Sequence, residues 1–130
     1  MRTLNKAVAG IATIVLAVVF VGCSSKPSLQ ASSAVGKTLS VVTASAPEDT
    51  QFLIQDSSPR VGKPASFSLS VSDQTSWTVV AICADNEVLA DAGIIEISII
   101  PKQSYTAATK NEVADGKFAD AVTCDDLSYR

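Results

Sequence analysis

Histidine is absent from all 130 residues. Without imidazole there is no Ser-His-Asp or Cys-His pairing, no His-ligated zinc and no side chain that titrates near neutrality unperturbed. A glycine-rich phosphate loop and a Cys-x-x-Cys pair are missing too, so nucleotide and dithiol chemistry find no support. Basic residues are few and scattered: ten Lys and Arg stand against thirteen Asp and Glu, a net charge of −3. Such a balance lacks the basic stripe that nucleic acid or anionic lipid headgroups require. The expectation is a protein that is not an enzyme, takes no cofactor and no metal, and does not bind nucleic acid.

What is present begins with an address. Arg2 and Lys6 form a basic head without an acid, and residues 7–21 are an unbroken apolar or small-residue run. That run is about fifteen residues, against the roughly twenty a helix needs to cross a membrane, which suits a cleaved secretory signal. It ends in Phe20-Val21-Gly22-Cys23, followed at once by the polar Ser24-Ser25-Lys26-Pro27.

Those four residues resemble a bacterial lipobox, with Phe20 where that pattern most often has Leu. The resemblance implies that the Cys23 thiol receives a diacylglycerol and becomes the N-terminus after cleavage, with a further acyl chain such as palmitate on the new amine. Each buried methylene contributes roughly 0.8 kcal/mol, and two or more chains make membrane residence lasting where one does not. The alternatives are an ordinary signal peptide that ends in cysteine and an uncleaved N-terminal anchor. The organisation expected is therefore a signal peptide over 1–22, lipidated Cys23 and a flexible tether over 23–33, and one domain over 34–130. Localisation follows as a lipid-anchored protein on the extracytoplasmic side of the cell membrane.

Removing 1–22 leaves 108 residues, with eight basic against thirteen acidic and a net charge of −5. One modest core fits that length. With Cys23 assigned to lipid, Cys83 and Cys124 are the remaining cysteines, and an exported domain with one such pair suggests one disulfide. Two separate thiols are the alternative.

The expected fold is α+β: one short helix packed on a small, mainly antiparallel sheet of three to four strands. Val35, Leu39 and Val42 have the spacing of a helix face over 34–46, before Pro47. Phe52, Leu53 and Ile54 mark a first strand. Residues 66–72 alternate Ser with Phe67, Leu69 and Val71, the period of a half-buried strand, expected to form a hairpin with 77–83. Residues 77–83 are apolar on both faces and read as a central strand. Ile95, Ile97 and Ile99 mark a last strand over 94–100. From 102 onward the pattern is weak: one helical turn before Gly116 and packing by Phe118 are expected.

Val35, Gly36, Leu39, Trp77, Val79 and Cys83, in a helix, strand, hairpin and final-strand order, resemble a degenerate PASTA-like domain over about 33–101. The usual Pro-x-x-Gly before the last strand is replaced by Asp85-Asn86-Glu87-Val88-Leu89. The resemblance implies contact with peptidoglycan fragments or a spacer role. Trp77 is the candidate ligand contact, through stacking on a sugar, against the alternative that it belongs to the core. Asp85, Glu87 and Asp91 share a loop, but the glycine and acid spacing of a calcium loop is absent, so a solvated acidic face is expected. Two functions fit: an envelope-binding module that contacts peptidoglycan or an envelope protein, and a phage-encoded surface lipoprotein that blocks superinfection by occupying a receptor.

Overall fold

A computed structural model describes residues 28–130. The expected signal peptide over 1–22 and the expected lipidation site Cys23 lie outside the described residues. The fold is α+β, with three strands, a short helix on one side of the sheet and one disulfide.

The strands are β1 (Gln51–Asp56), β2 (Trp77–Ala84) and β3 (Ile94–Pro101), in the spatial order β1-β3-β2. β3 is the central strand. It pairs in parallel with β1, Phe52 opposite Ile95 and Ile54 opposite Ile97, and antiparallel with β2, Ile82 opposite Ile97. The sheet is thus mixed rather than mainly antiparallel, and the strand expected to be central, β2, is an edge that is buried on both faces.

β2 is covered on both faces, and a bulge decides which of its side chains meet which layer. The register shifts between Val79 and Ala81, and the extra residue, Val80, reverses the alternation of side chains. Trp77 and Val79 before it, and Ile82 and Ala84 after it, all join one core. Val80, Ala81 and Cys83 point the other way, into a second layer. A strict period of two would have sent Ile82 and Ala84 away from Trp77 and Val79.

The first core lies between the sheet and a helical layer. Ile95, Ile97 and Ile99 of β3 meet Leu39 and Val42 of helix α1 (Leu39–Ala44), together with Ala31, Ala34 and Leu89. Each isoleucine is fully buried, which contributes on the order of 1.5–3 kcal/mol per side chain. Helix α1 is shorter than the spacing implies. Gly36 sits at φ +86° ahead of it, a left-handed conformation that glycine adopts freely, so Val35 lies outside the helix. Gly36 donates its N–H to Val79 O and Lys37 O accepts from Val79 N, which covers the outer edge of β2.

The other side of the sheet is covered by residues 105–129. Helix α2 (Ala107–Ala114) is capped by the Thr106 hydroxyl, which accepts from Thr109 N. It spans two turns where the sequence indicates one. Phe118 packs with Val80 and Ile100, and Val122 with Ala81 and Cys83. Cys83 is bonded to Cys124, with Cα atoms 5.5 Å apart.

Residues 66–72 do not form a strand, and no hairpin joins them to β2. Leu69 and Val71 are 63% and 83% exposed. The chain curls on itself: Ser72 N and Val71 N donate to Ser68 O, and Ser68 N donates to the Ser72 hydroxyl. Serine side chains offer the backbone local partners that compete with a sheet ladder, and the outer edge of β2, the expected partner, is taken by Gly36, Lys37 and Tyr129. At the other end, the folded unit starts earlier than position 34. Gln30 bridges Val88, Leu29 O accepts from Leu89 N, and Ala31 is buried, so residues 29–33 belong to the domain and not to a tether.

Candidate functional site

Where β2 begins and β3 ends, Trp77 stands opposite Pro101. Two tight turns flank this pair: Gln74–Ser76 leads into β2, and Lys102–Ser104 leaves β3. With Ser66 they enclose an open cleft of about 640 Å³. Its walls carry the hydroxyls of Ser66, Thr75 and Ser76, the Gln103 amide and the Lys102 ammonium, with Trp77 and Pro101 as the apolar part.

Two carboxylates hold these walls in place. Asp73 caps the first turn: its Oδ1 accepts from Thr75 N at 2.9 Å and from the Thr75 hydroxyl at 2.7 Å, and its Oδ2 accepts from the Ser76 hydroxyl at 3.3 Å. The Thr75 hydroxyl above all, then the other donors, keeps the Asp73 carboxyl below its usual range. Asp56, at the end of β1, accepts from Ser66 N at 2.7 Å and Phe67 N at 2.9 Å through Oδ2. Its Oδ1 accepts from Ser58 N and the Ser58 hydroxyl. Burial pushes the Asp56 carboxyl up, and these four donors outweigh it, so the group is held low. The cleft thus has fixed walls, and Lys102 has no ion-pair partner among the described residues.

Trp77 is a core residue that also borders the cleft. It is 7% exposed and packs edge-to-face with Phe67, ring centroids 5.2 Å apart at 78°. It offers a rim to a ligand, not a bare ring face. Chemically the arrangement suits a polar molecule that carries hydroxyl or amide groups and a negative charge, met by one cation and several hydrogen-bonding groups.

Of the residues singled out in the sequence, Trp77 lies at this cleft, and Cys83 and Cys124 are joined far from it. Asp85, Glu87 and Asp91 do not converge: Asp85 accepts from Gly93 N, and no group of three His, Cys, Asp or Glu suited to a metal exists among the described residues. Lys102, Gln103, Thr75 and Ser76 were not legible as a site, because only the register of β2 on β3 brings them together.

Glu96 was also missed. It stands in the middle of an isoleucine run and is 3% exposed. Its carboxylate accepts from Thr123 N at 2.9 Å, Cys124 N at 3.0 Å, the Thr123 hydroxyl and the Gln55 amide. Burial pushes this carboxyl up, and the donors reverse the effect and hold it below its ordinary value. The visible signal was a charged residue inside an apolar strand, which demands partners.

No protein-family model matches the chain, and neither a curated protein nor a solved structure is similar to it.

Proposed function

We propose that the protein is a non-enzymatic lipoprotein of the bacterial cell envelope, anchored through lipid on Cys23, which holds a cell-wall or envelope component in the cleft between the Gln74–Ser76 and Lys102–Ser104 turns. The observation that carries this reading is the cleft itself: Lys102, without an ion-pair partner among the described residues, stands with the Gln103 amide and Ser66 around the rim of Trp77, groups that can meet a carboxylate-bearing glycan or peptide. The basic head, short apolar run and Phe20-Val21-Gly22-Cys23 of the sequence support the anchor.

The test uses the full-length chain in detergent on purified peptidoglycan. Retention above that of an acidic control protein, lost in a Lys102→Ala, Gln103→Ala double variant, is expected. Equal retention of both proteins overturns the assignment of the cleft. Intact mass of the membrane-fraction protein tests the anchor: a species that lacks residues 1–22 and carries acyl groups is expected, and a full-length unacylated chain overturns it.

A second reading draws on Leu69 and Val71, which stand in water on the loop that supplies Ser66 to the cleft wall. Exposed apolar side chains favour contact with a protein surface, as a phage-encoded lipoprotein that occupies an envelope receptor would require. Loss of phage adsorption on cells that display the wild-type chain, restored by Leu69→Ser with Val71→Ser, is the outcome that favours it.

A further inference from the structure

Among the described residues the outer edge of β1 is open. In the parallel ladder with β3, Gln51 N donates to Gly93 O and Ser57 N to Ile99 O, so the odd-numbered residues of this stretch turn their backbone groups toward β3. Alternation then points the N–H and C=O of Phe52 and Ile54 away from the sheet. Among the described residues neither takes part in a bridge or a hydrogen bond outside the β1–β3 ladder.

Within β1 the sequence devices that block an edge are few. There is no lysine, proline or bulge in Gln51–Asp56, and the one charge, Asp56, is at its end with its carboxylate engaged by Ser58, Ser66 and Phe67. The outer edge of β2, by contrast, is covered at both ends, by the Gly36–Val79 and Val79–Lys37 hydrogen bonds and by the pairing of Tyr129 with Ala84. Natural sheets block edges because an unblocked one pairs with another strand.

The neighbouring face is open too. The layer formed by residues 105–129 covers β2 and β3, and Leu53 of β1 is left 46% exposed between Gln51 and Gln55, both exposed. This surface is neutral and complementary to itself. In an antiparallel pair centred on Leu53, Phe52 and Ile54 of one copy exchange hydrogen bonds with Ile54 and Phe52 of the other. The two Leu53 side chains then meet at a non-hydrogen-bonded position, where side chains approach most closely. Gln51 falls opposite Gln55, and an amide donates and accepts, so each can satisfy the other.

The geometry points to a second copy of this chain as the partner of β1. The two sheets join edge to edge across a two-fold axis into one sheet of six strands. This interface is on the opposite edge of the sheet from β2 and does not depend on what the cleft binds.

The experiment is sedimentation of the full-length chain in detergent with empty micelles in excess, combined with hydrogen exchange at the amides of Phe52 and Ile54. A dimer is expected, with both amides protected in proportion to its population. Leu53→Lys places two like charges face to face and removes the leucine contact, and should weaken association by about tenfold or more. Leu53 is exposed, so the fold survives, which an unchanged Trp77 fluorescence reports. Tyr129→Lys, at the far edge of the sheet beyond β2, should leave the dimer intact. A wild-type monomer at every concentration overturns the proposal, and so does a dimer that survives Leu53→Lys. A monomer in which the Phe52 and Ile54 amides are protected assigns the edge to another segment of the same chain, and overturns it as well.

Discussion

Glu96 fastens Thr123 to the centre of the sheet. One carboxylate oxygen takes the Thr123 N–H at 2.9 Å, the other takes the Cys124 N–H at 3.0 Å, and the Thr123 hydroxyl reaches both. The residue that follows Thr123 is the half-cystine, so a hydrogen-bonded carboxylate and a covalent bond act on adjacent positions of the same tail.

Replacing Glu96 with Gln keeps the shape but removes the charge and presents an NH₂ group to N–H donors. Leaving buried donors without acceptors costs roughly 1–3 kcal/mol, and a loss of that order is expected in urea unfolding. The pH dependence separates charge from packing. Glu96 is held below its ordinary value of 4.5, so its contribution is present above that pH and is lost as pH falls through the lower folded value. Wild-type stability should therefore drop more steeply with acid than that of Glu96→Gln, and parallel acid profiles for the two would refute the role given to the carboxylate.

Opening the Cys83–Cys124 bond removes a constraint between residues 41 apart in sequence. The chain-entropy account puts such a closure at roughly 4 kcal/mol, and measured values are often lower. Cys83→Ala with Cys124→Ala should unfold at a lower urea midpoint than the wild type. Reduction of the wild type should add two hydrogens by mass and lower the midpoint by a similar amount.

Substitutions inside and outside the sheet should differ sharply. Ile97→Ala opens a cavity beneath Leu39 and Val42 and is expected to cost about 2–5 kcal/mol. Leu69→Ala and Val71→Ala, at side chains that stand in water, should each fall within about 0.5 kcal/mol of the wild type. Equal losses at Val71 and Ile97 in thermal unfolding would mean that residues 66–72 are packed after all.

Gly36→Ala forces a Cβ into a left-handed backbone and to within 3.1 Å of the Tyr105 hydroxyl. The conformational part alone costs about 1–2 kcal/mol. The amide of Val79, which donates to Lys37 O, should then exchange with solvent faster than in the wild type, while amides of β1 are unchanged.

The sequence was informative where side chains themselves dictate structure. Ile95, Ile97 and Ile99, and the run from Trp77 to Cys83, are β-branched or apolar at nearly every position, and both became strands. The run 66–72 shows the limit of a periodic pattern: Phe67, Leu69 and Val71 alternate perfectly, yet Ser68 and Ser72 close the chain onto itself and the outer edge of β2 is taken by Gly36, Lys37 and Tyr129. Helix α2 was hard to see because Ala107–Ala114 contains one large apolar residue, Val113; the Thr106 cap on Thr109 was its only local sign. The bulge at Val80 leaves no mark in a fully apolar strand. The cleft depends on the register that sets Trp77 against Pro101, and register is a property of two strands together, so Lys102 and Gln103 could not be joined to Thr75 and Ser76 by inspection of either segment.

The order β1-β3-β2 also sets a timetable. β3 is the last of the three strands to be synthesised and the only one that touches both others. A chain ending before residue 94 therefore contains neither of the native strand pairs. The β1–β3 pairs join residues 43 apart in sequence, whereas β2 and β3 are consecutive strands joined by residues 85–93, so the parallel pair is the slower one to form. The sheet's keystone thus arrives last, and both native strand pairs wait until the chain has passed residue 101.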